Sequence, residues 1–239
     1  MAYAYGPKIE TNNLVFCYDA ADKSCYSGTG TTVNDLSRSG LNPTWSGTPV
    51  FSGSEAGGSF GFNGVDQYMT VPASSATNLL KDFSFEVWFN KQGVGSVGSA
   101  YDSIFQKNGG YSGYPIYGIR AASEANPANL SMYFAYSGTS GDQSSSIIRS
   151  NGITIGDWIC CTVTVGSDYV ARGYYNGHQN GSAITLNGNL KNEENTCLIG
   201  NGDGRRFNGY IPIVRIYNKE LTRQQVIDNF NAQRTRFGV

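Results

Sequence analysis

The stretch Phe83-Ser84-Phe85-Glu86-Val87-Trp88-Phe89-Asn90 places phenylalanine or valine at every second position. A period of two puts successive side chains on opposite faces of a β-strand. The aromatic row therefore requires a deep apolar layer opposite it. The other row carries Glu86 and Trp88, which predicts a face that meets a groove or a partner. We expect residues 83–90 to form a central strand of a layered β protein.

The composition of the 239-residue chain indicates a turn-rich β protein. It contains 31 glycines but 7 prolines, and 15% of its residues are charged, where about 7% glycine and about 25% charged residues are usual. The glycines stand singly between apolar runs, which is typical of turns rather than of disorder. The net charge of −1 argues against nucleic acid and against an anionic membrane as partners.

The spacing of the apolar runs predicts the architecture. They recur at intervals of roughly 8–15 residues with turn signals between them, as in a sandwich or jelly roll. We predict an all-β fold, a two-sheet antiparallel jelly-roll sandwich. It forms one domain over residues 13–239, after an extended arm over residues 1–12.

One short helix is predicted at the end of the chain, over about residues 222–233. Thr222 and Gln225 have the spacing of a capping box, in which each side chain satisfies an amide of the other. Val226 and Phe230 share one face of this helix. We therefore expect the helix to cover an end of the sandwich.

The cysteines favour a reduced protein. An odd count with two adjacent members does not suit a disulfide framework, so we expect small buried hydrophobes made in a reducing cytosol. A Cys17–Cys25 bridge is the alternative. The first residues lack a basic-then-apolar signal region, and no run approaches 18 apolar residues, which predicts no signal peptide and no membrane partner. The five cysteines are Cys17, Cys25, Cys160, Cys161 and Cys197.

Basic residues are concentrated at the end of the chain. We interpret them as a solvated helix face, and a basic docking patch for an acidic protein is the alternative. The seven, from position 205 onward, are Arg205, Arg206, Arg215, Lys219, Arg223, Arg234 and Arg236.

Several segments carry a family resemblance that covers nearly the whole chain from about Leu14. Residues 14–20, 58–71, 83–88 and 207–222 resemble the laminin G-like, concanavalin A-like lectin-glucanase jelly-roll family. The resemblance implies the sandwich predicted above. It implies no single function, because this scaffold hosts lectins, hydrolases and structural modules.

The two ends of the chain resemble stand-alone family members of tailed-bacteriophage virions. The segments are Gly6-Pro7-Lys8-Ile9 and Arg236-Phe237-Gly238. This implies a non-enzymatic structural or binding protein of the virion (capsid decoration, fibre or tail-associated), made in the host cytoplasm. Its partners would be other virion proteins, and a homo-oligomer is left open. The alternative is a carbohydrate-binding adhesin for host surface glycans, and a glycoside hydrolase ranks below both.

The acids do not form the pattern of a glycoside hydrolase, which needs two carboxyls about 5–9.5 Å apart around the scissile bond. Glu86 stands alone on its strand. Glu193 and Glu194 are neighbours in a polar turn, where adjacent side chains diverge. His178, the only histidine, lies in a predicted hairpin without a marked nucleophile or orienting acid. We expect no enzymatic activity.

The candidate binding residues lie in tyrosine- and glycine-rich segments. An aromatic platform flanked by amides and carboxylates suits a glycan, and a tyrosine ring with its hydroxyl also suits a protein interface. Protein docking ranks slightly ahead of sugar binding. The candidates are Tyr101, Asp102, Asn108, Tyr111, Tyr114, Asn201, Asp203 and Arg205.

No cofactor is expected to be required, and Ca²⁺ is the one candidate. The resemblance implies it, because relatives hold calcium with loop carboxylates, amides and carbonyls. The candidate ligands are Asp19, Asp66 and Asp203. Asp-Gly and Asn-Gly pairs also form ordinary turns, and no six-ligand loop can be assembled from the sequence.

Overall fold

The computed structural model describes residues 6–95, 100–110, 114–122, 130–137, 143–186 and 190–239. These residues form two antiparallel sheets and one α-helix, so the predicted all-β jelly-roll sandwich is confirmed. The strands, numbered along the chain, are β1 (Leu14–Asp19), β2 (Thr44–Ser46), β3 (Val50–Ser52), β4 (Ser59–Asn63), β5 (Tyr68–Val71), β6 (Phe83–Lys91), β7 (Tyr101–Lys107), β8 (Tyr117–Ala122), β9 (Leu130–Ser137), β10 (Gln143–Ile153), β11 (Trp158–Val165), β12 (Val170–Tyr175), β13 (His178–Gln179), β14 (Ile184–Thr185), β15 (Cys197–Ile199) and β16 (Asn208–Tyr217). The helix α1 spans Arg223–Phe237.

The strands divide into a nine-stranded and a seven-stranded sheet. The nine-stranded sheet has the order β13-β12-β11-β6-β16-β4-β3, with β1 paired to β16 and β14 paired to β12. The seven-stranded sheet has the order β10-β9-β8-β7-β15-β5-β2. Two short 3₁₀-helices, Glu55–Gly57 and Ser75–Thr77, lie in the connections.

Strand β6 is central, as its sequence predicts. It pairs with β11 on one side and β16 on the other. Phe83, Phe85, Val87 and Phe89 are fully buried in the main core. The Phe85 ring reaches across to Phe105 of the other sheet, with centroids 5.4 Å apart. Full burial of each such side chain contributes about 1.5–3 kcal/mol, so this row holds the two sheets together.

The opposite face of β6 is covered by the chain's own helix. Trp88 is fully buried, and its ring stacks on Phe237 and Phe230 at centroid distances of 4.0 and 5.6 Å. The helix thus lies on the outer face of the nine-stranded sheet. The sequence predicted that it would cover an end of the sandwich. The partner expected for the Trp88 face is therefore this intramolecular helix.

The start of α1 follows the prediction, and its end does not. Gln225 donates its backbone N–H to Thr222 Oγ1 at 3.2 Å, and Thr222 donates its own to Gln225 Oε1 at 3.0 Å. The helix continues to Phe237, beyond the predicted end near residue 233. Gly238 ends it in the left-handed conformation, with φ of 69°. Glycine has no Cβ to strain that conformation, and Phe237 gains burial against Trp88.

A buried polar network joins the helix, β6 and the N-terminal segment. Arg215 donates to Glu86 Oε1 at 2.5 Å, and Asn229 donates to Glu86 Oε2 at 3.2 Å and to the Tyr217 hydroxyl at 3.1 Å. The Glu10 N–H donates to Asn229 Oδ1 at 2.8 Å. The last residues of the predicted arm are therefore bound to the helix.

Two residues of the basic end differ from the predicted solvated helix face. Arg215 is 3% exposed and pairs with Glu86. Arg236 donates to both carboxylate oxygens of Asp19, at 2.7 and 2.9 Å. Arg223 and Arg234 are exposed on α1. Carboxylates within the fold therefore neutralise part of the positive charge that is concentrated at the end of the chain.

The five cysteines are free and buried, as predicted. Cys161 faces the main core and Cys160 faces α1, so the adjacent pair points to opposite faces. His178 is exposed on β13. No helix in the described ranges has the length and apolar character needed to span a membrane.

Candidate functional site

The candidate site lies on the outer face of the seven-stranded sheet, at β7 and β8. Phe105, Tyr117 and Ile119 of these strands enter the core. Gln106 and Arg120 alternate with them and therefore point away from the core. Gly118 lies opposite Gln106, where an added Cβ would be 2.7 Å from the Gln106 Cβ. Glycine is required there because the two strands approach so closely.

Arg120 is the centre of the site and is 4% exposed. Its guanidinium carbon lies 5.5 Å from the centroid of the Tyr114 ring. Asp203 Oδ2 lies 3.7 Å from Arg120 Nη2 and 3.7 Å from Arg205 Nη1. Tyr101 also interacts electrostatically with Arg120. We call these five residues the Arg120 surface.

Burial of Arg120 and the charges of its neighbours determine the electrostatics of the Arg120 surface. Burial, and then the nearby positive charge of Arg205, lower the pKa of the Arg120 guanidinium to about 10. Asp203 opposes both effects, and its side chain is 41% exposed. Arg120 is thus a positioned cation, and the exposed carboxylate beside it can accept hydrogen bonds.

A tight turn positions Asp203 and Arg205. Asp203 and Gly204 have φ values of 51° and 79°, and Arg205 donates its N–H to the Gly202 carbonyl at 2.9 Å. Consecutive left-handed residues of the Asp-Gly type form a primed turn. Ser103 of β7 donates its N–H to the Arg205 carbonyl at 3.3 Å, which ties the turn to the sheet.

A chain of amides extends beside the Arg120 surface. Ser103 donates to Gln106 Oε1 at 3.1 Å, Gln106 donates to Asn108 Oδ1 at 3.0 Å, and Asn108 donates to Thr196 Oγ1 at 3.1 Å. Asn201 is 6% exposed, and its Oδ1 accepts no hydrogen bond from any described residue. Asn108 and Thr196 are half-buried, so a ligand could reach this end of the chain.

The structure brings together four of the eight binding residues proposed from the sequence. Tyr101, Tyr114, Asp203 and Arg205 converge on Arg120. Asp102 is instead fully buried and paired with the buried Lys91, and it also accepts the Gly95 N–H at 3.1 Å. Its carboxylate is therefore enclosed away from any ligand. Tyr111 lies outside the described residues.

The three candidate calcium ligands lie in different environments. Asp19 is held by Arg236, and Asp66 Oδ1 accepts from Asn63 Nδ2 at 2.7 Å. Asp203 belongs to the Arg120 surface. Within the described ranges, no group of three or more histidine, cysteine or acidic side chains is arranged to hold a metal ion.

Sequence reasoning missed Arg120, although a signal was present. The segment Tyr117–Ala122 reads YGIRAA, in which one arginine interrupts a small and apolar strand. A charged residue within a strand of a two-layer protein must point out of the core. The electrostatic pairing of this arginine with a turn more than 80 positions later, by contrast, leaves no mark in the local sequence.

The arrangement suits binding better than bond cleavage. Glu86 is fully buried between Arg215 and Asn229, and Asp102 is fully buried beside Lys91. Neither acid can reach a substrate. The Arg120 surface offers aromatic rings, guanidinium donors and one exposed carboxylate, which together can fix a polar ligand.

Comparison with known proteins gives a family match. A model described as the concanavalin A-like lectin/glucanases superfamily matches residues 62–227, well over half of the chain. No curated protein matches the sequence.

Several solved structures share the fold at low identity. Domain 4 of AbnA, a GH43 extracellular arabinanase from Geobacillus stearothermophilus, in complex with arabinotriose, is 18% identical with a TM-score of 0.65, covering 92% of this chain and 99% of that domain. The binding domain of Paraclostridial Mosquitocidal Protein 1 is 14% identical with a TM-score of 0.69, and the match covers 92% of this chain and 52% of that chain. A structure of botulinum neurotoxin type C is 15% identical with a TM-score of 0.68, and the match covers 92% of this chain and 51% of that chain. It is described by the dependence of cell entry on interaction with two ganglioside molecules. This chain thus spans about half the length of the two toxin chains.

Proposed function

We propose that this chain, which belongs to the concanavalin A-like lectin/glucanases superfamily, is a non-enzymatic module that binds carbohydrate through its Arg120 surface. The observation that carries the proposal is the convergence of Tyr101, Tyr114, Asp203 and Arg205 on a buried arginine outside the core. One structural neighbour is described in complex with arabinotriose and another by its interaction with gangliosides. Both descriptions support carbohydrate as the ligand class.

The proposed mechanism is binding to a preorganised surface. The Tyr114 ring can stack on the apolar face of a sugar, while Arg120 and Arg205 donate to hydroxyls and Asp203 accepts from them. Arg120 is almost fully enclosed, so it loses little side-chain freedom when a ligand arrives. A smaller entropic cost of ordering increases affinity for a given set of contacts.

The absence of catalysis is part of the proposal. Retaining or inverting hydrolysis needs two carboxyls on either side of one bond. Glu86 on β6 and Asp102 on β7 are both enclosed by basic partners. Asp203 alone can bind a hydroxyl but cannot supply the second carboxyl.

Attachment to a tailed-phage particle is a second, separate proposal. It is supported by the sequence resemblance of the two chain ends, and the three structural neighbours named above are not virion proteins. In this proposal the module docks on other virion proteins, and weak single contacts are summed by the symmetry of the particle. Imaging of intact particles tests it through the position and copy number of the protein.

The carbohydrate proposal is tested on a glycan array with the wild-type chain and two variants. Tyr114→Ala removes the ring and Arg205→Ala removes a half-buried donor, so each should reduce a selective signal about tenfold or more. Arg223→Ala, an exposed arginine at the start of α1, is the matched control and should bind like the wild type. An array without any selective signal, or a signal that neither variant weakens, refutes the assignment.

A further inference from the structure

A second groove lies on the outer face of the nine-stranded sheet, beyond the end of α1. Strand pairing aligns one row of residues across five strands, namely Val50 with Gly61, Gly61 with Tyr210, Tyr210 with Asn90, and Asn90 with Trp158. Asn90 lies two positions after Trp88 on β6, so this row shares the helix-covered face. Tyr210 and Trp158 are half-buried, with ring centroids 6.5 Å apart.

A row of amides follows on the same face. Asn63, Asn208 and Gln92 lie two positions from Gly61, Tyr210 and Asn90, which places this row about 7 Å further along the strands. Asn208 Nδ2 donates to the Val94 carbonyl at 3.2 Å, and Gln92 Nε2 donates to Asn90 Oδ1 at 2.5 Å. These bonds orient both amides. Within the described part of the chain, neither Asn208 Oδ1 nor Gln92 Oε1 accepts a hydrogen bond.

Gly61 keeps the floor of this groove open. A Cβ at this position would lie 3.5 Å from Tyr210 Cε1 and 3.7 Å from the Val50 side chain, which are ordinary contact distances. The groove has a volume of about 350 Å³, and the side chains that line it are aromatic, aliphatic or amide. The residues that line it therefore present no ionised group to a ligand.

We propose that this Tyr210 groove binds a neutral saccharide. The Tyr210 ring offers a flat apolar platform beside Val50, and the oriented amide oxygens of Gln92 and Asn208 can accept hydrogen bonds from hydroxyls. A charged ligand would lose hydration without gaining a counter-charge from this lining. The groove differs in chemistry from the Arg120 surface and lies on the other sheet, so the inference does not depend on that surface.

The inference predicts a module with two independent binding faces. The two sites lie on the outer faces of the two sheets, so one molecule could hold two glycan chains at once. Weak binding at each face would then be strengthened by avidity on a dense polysaccharide.

The experiment titrates the full chain with arabinotriose, xylotriose, mannotriose and cellotriose, followed by NMR of the Trp158 indole N–H. A tri-galacturonate of the same length is the charged comparison. We expect at least one neutral trisaccharide to shift this signal saturably at millimolar concentration, and the charged one to leave it unchanged.

Two variants and one matched control make the assignment specific. Gly61→Val fills the groove, and Gln92→Ala removes an exposed acceptor without touching the core. Each should weaken binding severalfold or more. Gln179→Ala, at an exposed glutamine on β13 that belongs to neither site, should bind like the wild type.

The inference is wrong if no neutral trisaccharide shifts the signal, or if both groove variants bind unchanged. The two proposals can fail separately. Loss of glycan binding in the Arg120-surface variants alone supports only the proposed function. Loss in the groove variants alone supports only the inference made from the Tyr210 groove.

Discussion

Glu86→Gln tests whether the most buried acid of the central strand has a structural role. Glu86 is fully buried, and its two oxygens accept from Arg215 at 2.5 Å and from Asn229 at 3.2 Å. Glutamine has nearly the same shape, so no cavity forms. The substitution removes the negative charge and leaves the 3%-exposed Arg215 guanidinium without its carboxylate.

The expected loss is large. Breaking a buried ion pair by removing one partner costs about 3–5 kcal/mol, against a total unfolding free energy of about 5–15 kcal/mol. For a domain of this size, about 1 kcal/mol shifts the melting temperature by about 2–4 °C. Glu86→Gln should therefore melt about 6–20 °C below the wild type when unfolding is followed by circular dichroism.

Two further variants separate charge pairing from other causes. Glu194→Gln neutralises an exposed acid and should change the unfolding free energy by no more than about 0.5 kcal/mol. Adding Arg215→Met to Glu86→Gln removes the uncompensated charge and should recover part of the loss. If Glu86→Gln alone melts within about 2 °C of the wild type, the pair does not have the stabilising role argued here.

Three other predictions concern the helix, the thiols and calcium. Phe237→Ala should cost about 3–5 kcal/mol and shift Trp88 emission to longer wavelength, while Val239→Ala, at an exposed end, should do neither. Ellman's reagent at pH 8 should leave the native chain unreacted and titrate five thiols in denaturant, because burial raises the pKa of Cys17 to about 11 and of Cys25 to about 12. A thiol that reacts in the native chain would contradict the burial. Because the two pKa values lie above those of the unfolded thiols, the folded state is favoured below pH 9, and its stability should fall at higher pH, where the unfolded thiols ionise. Melting in EDTA and in millimolar Ca²⁺ should coincide, since Asp19 is already paired with Arg236, whereas a calcium-dependent rise would reveal a site.

Local pattern was enough for the central strand and the start of the helix. The alternation over residues 83–90 is strict and long, and one face of it contains only aromatic and valine side chains. A capping box is likewise defined within four residues. These features could be predicted because the physical cause and the sequence signal occupy the same short segment.

The short strands and the ion pairs could not be predicted in this way. β2 and β3 contain three residues each, which is too short for a period of two to be recognised. Arg215 and Glu86 are 129 positions apart, and Arg236 and Asp19 are 217 apart. Nothing near either arginine in the sequence shows that its charge is neutralised inside the fold. The solvated helix face expected at the basic end was wrong for these two residues for this reason.

The length of α1 explains why one part of the outer face of the nine-stranded sheet is open. The helix covers Trp88, Cys160 and Ile213, and it stops at Phe237, whose ring lies 5.1 Å from Trp158. The left-handed Gly238 ends the helix at that point. In the next row along the strands, Asn90 is buried and Trp158 packs on Phe237, whereas Tyr210 is only half-buried. Continuing the helix by one more turn would add about 5 Å to its length and extend it toward the Tyr210 row. The cap that stabilises the Trp88 face thus also sets where the Tyr210 groove begins.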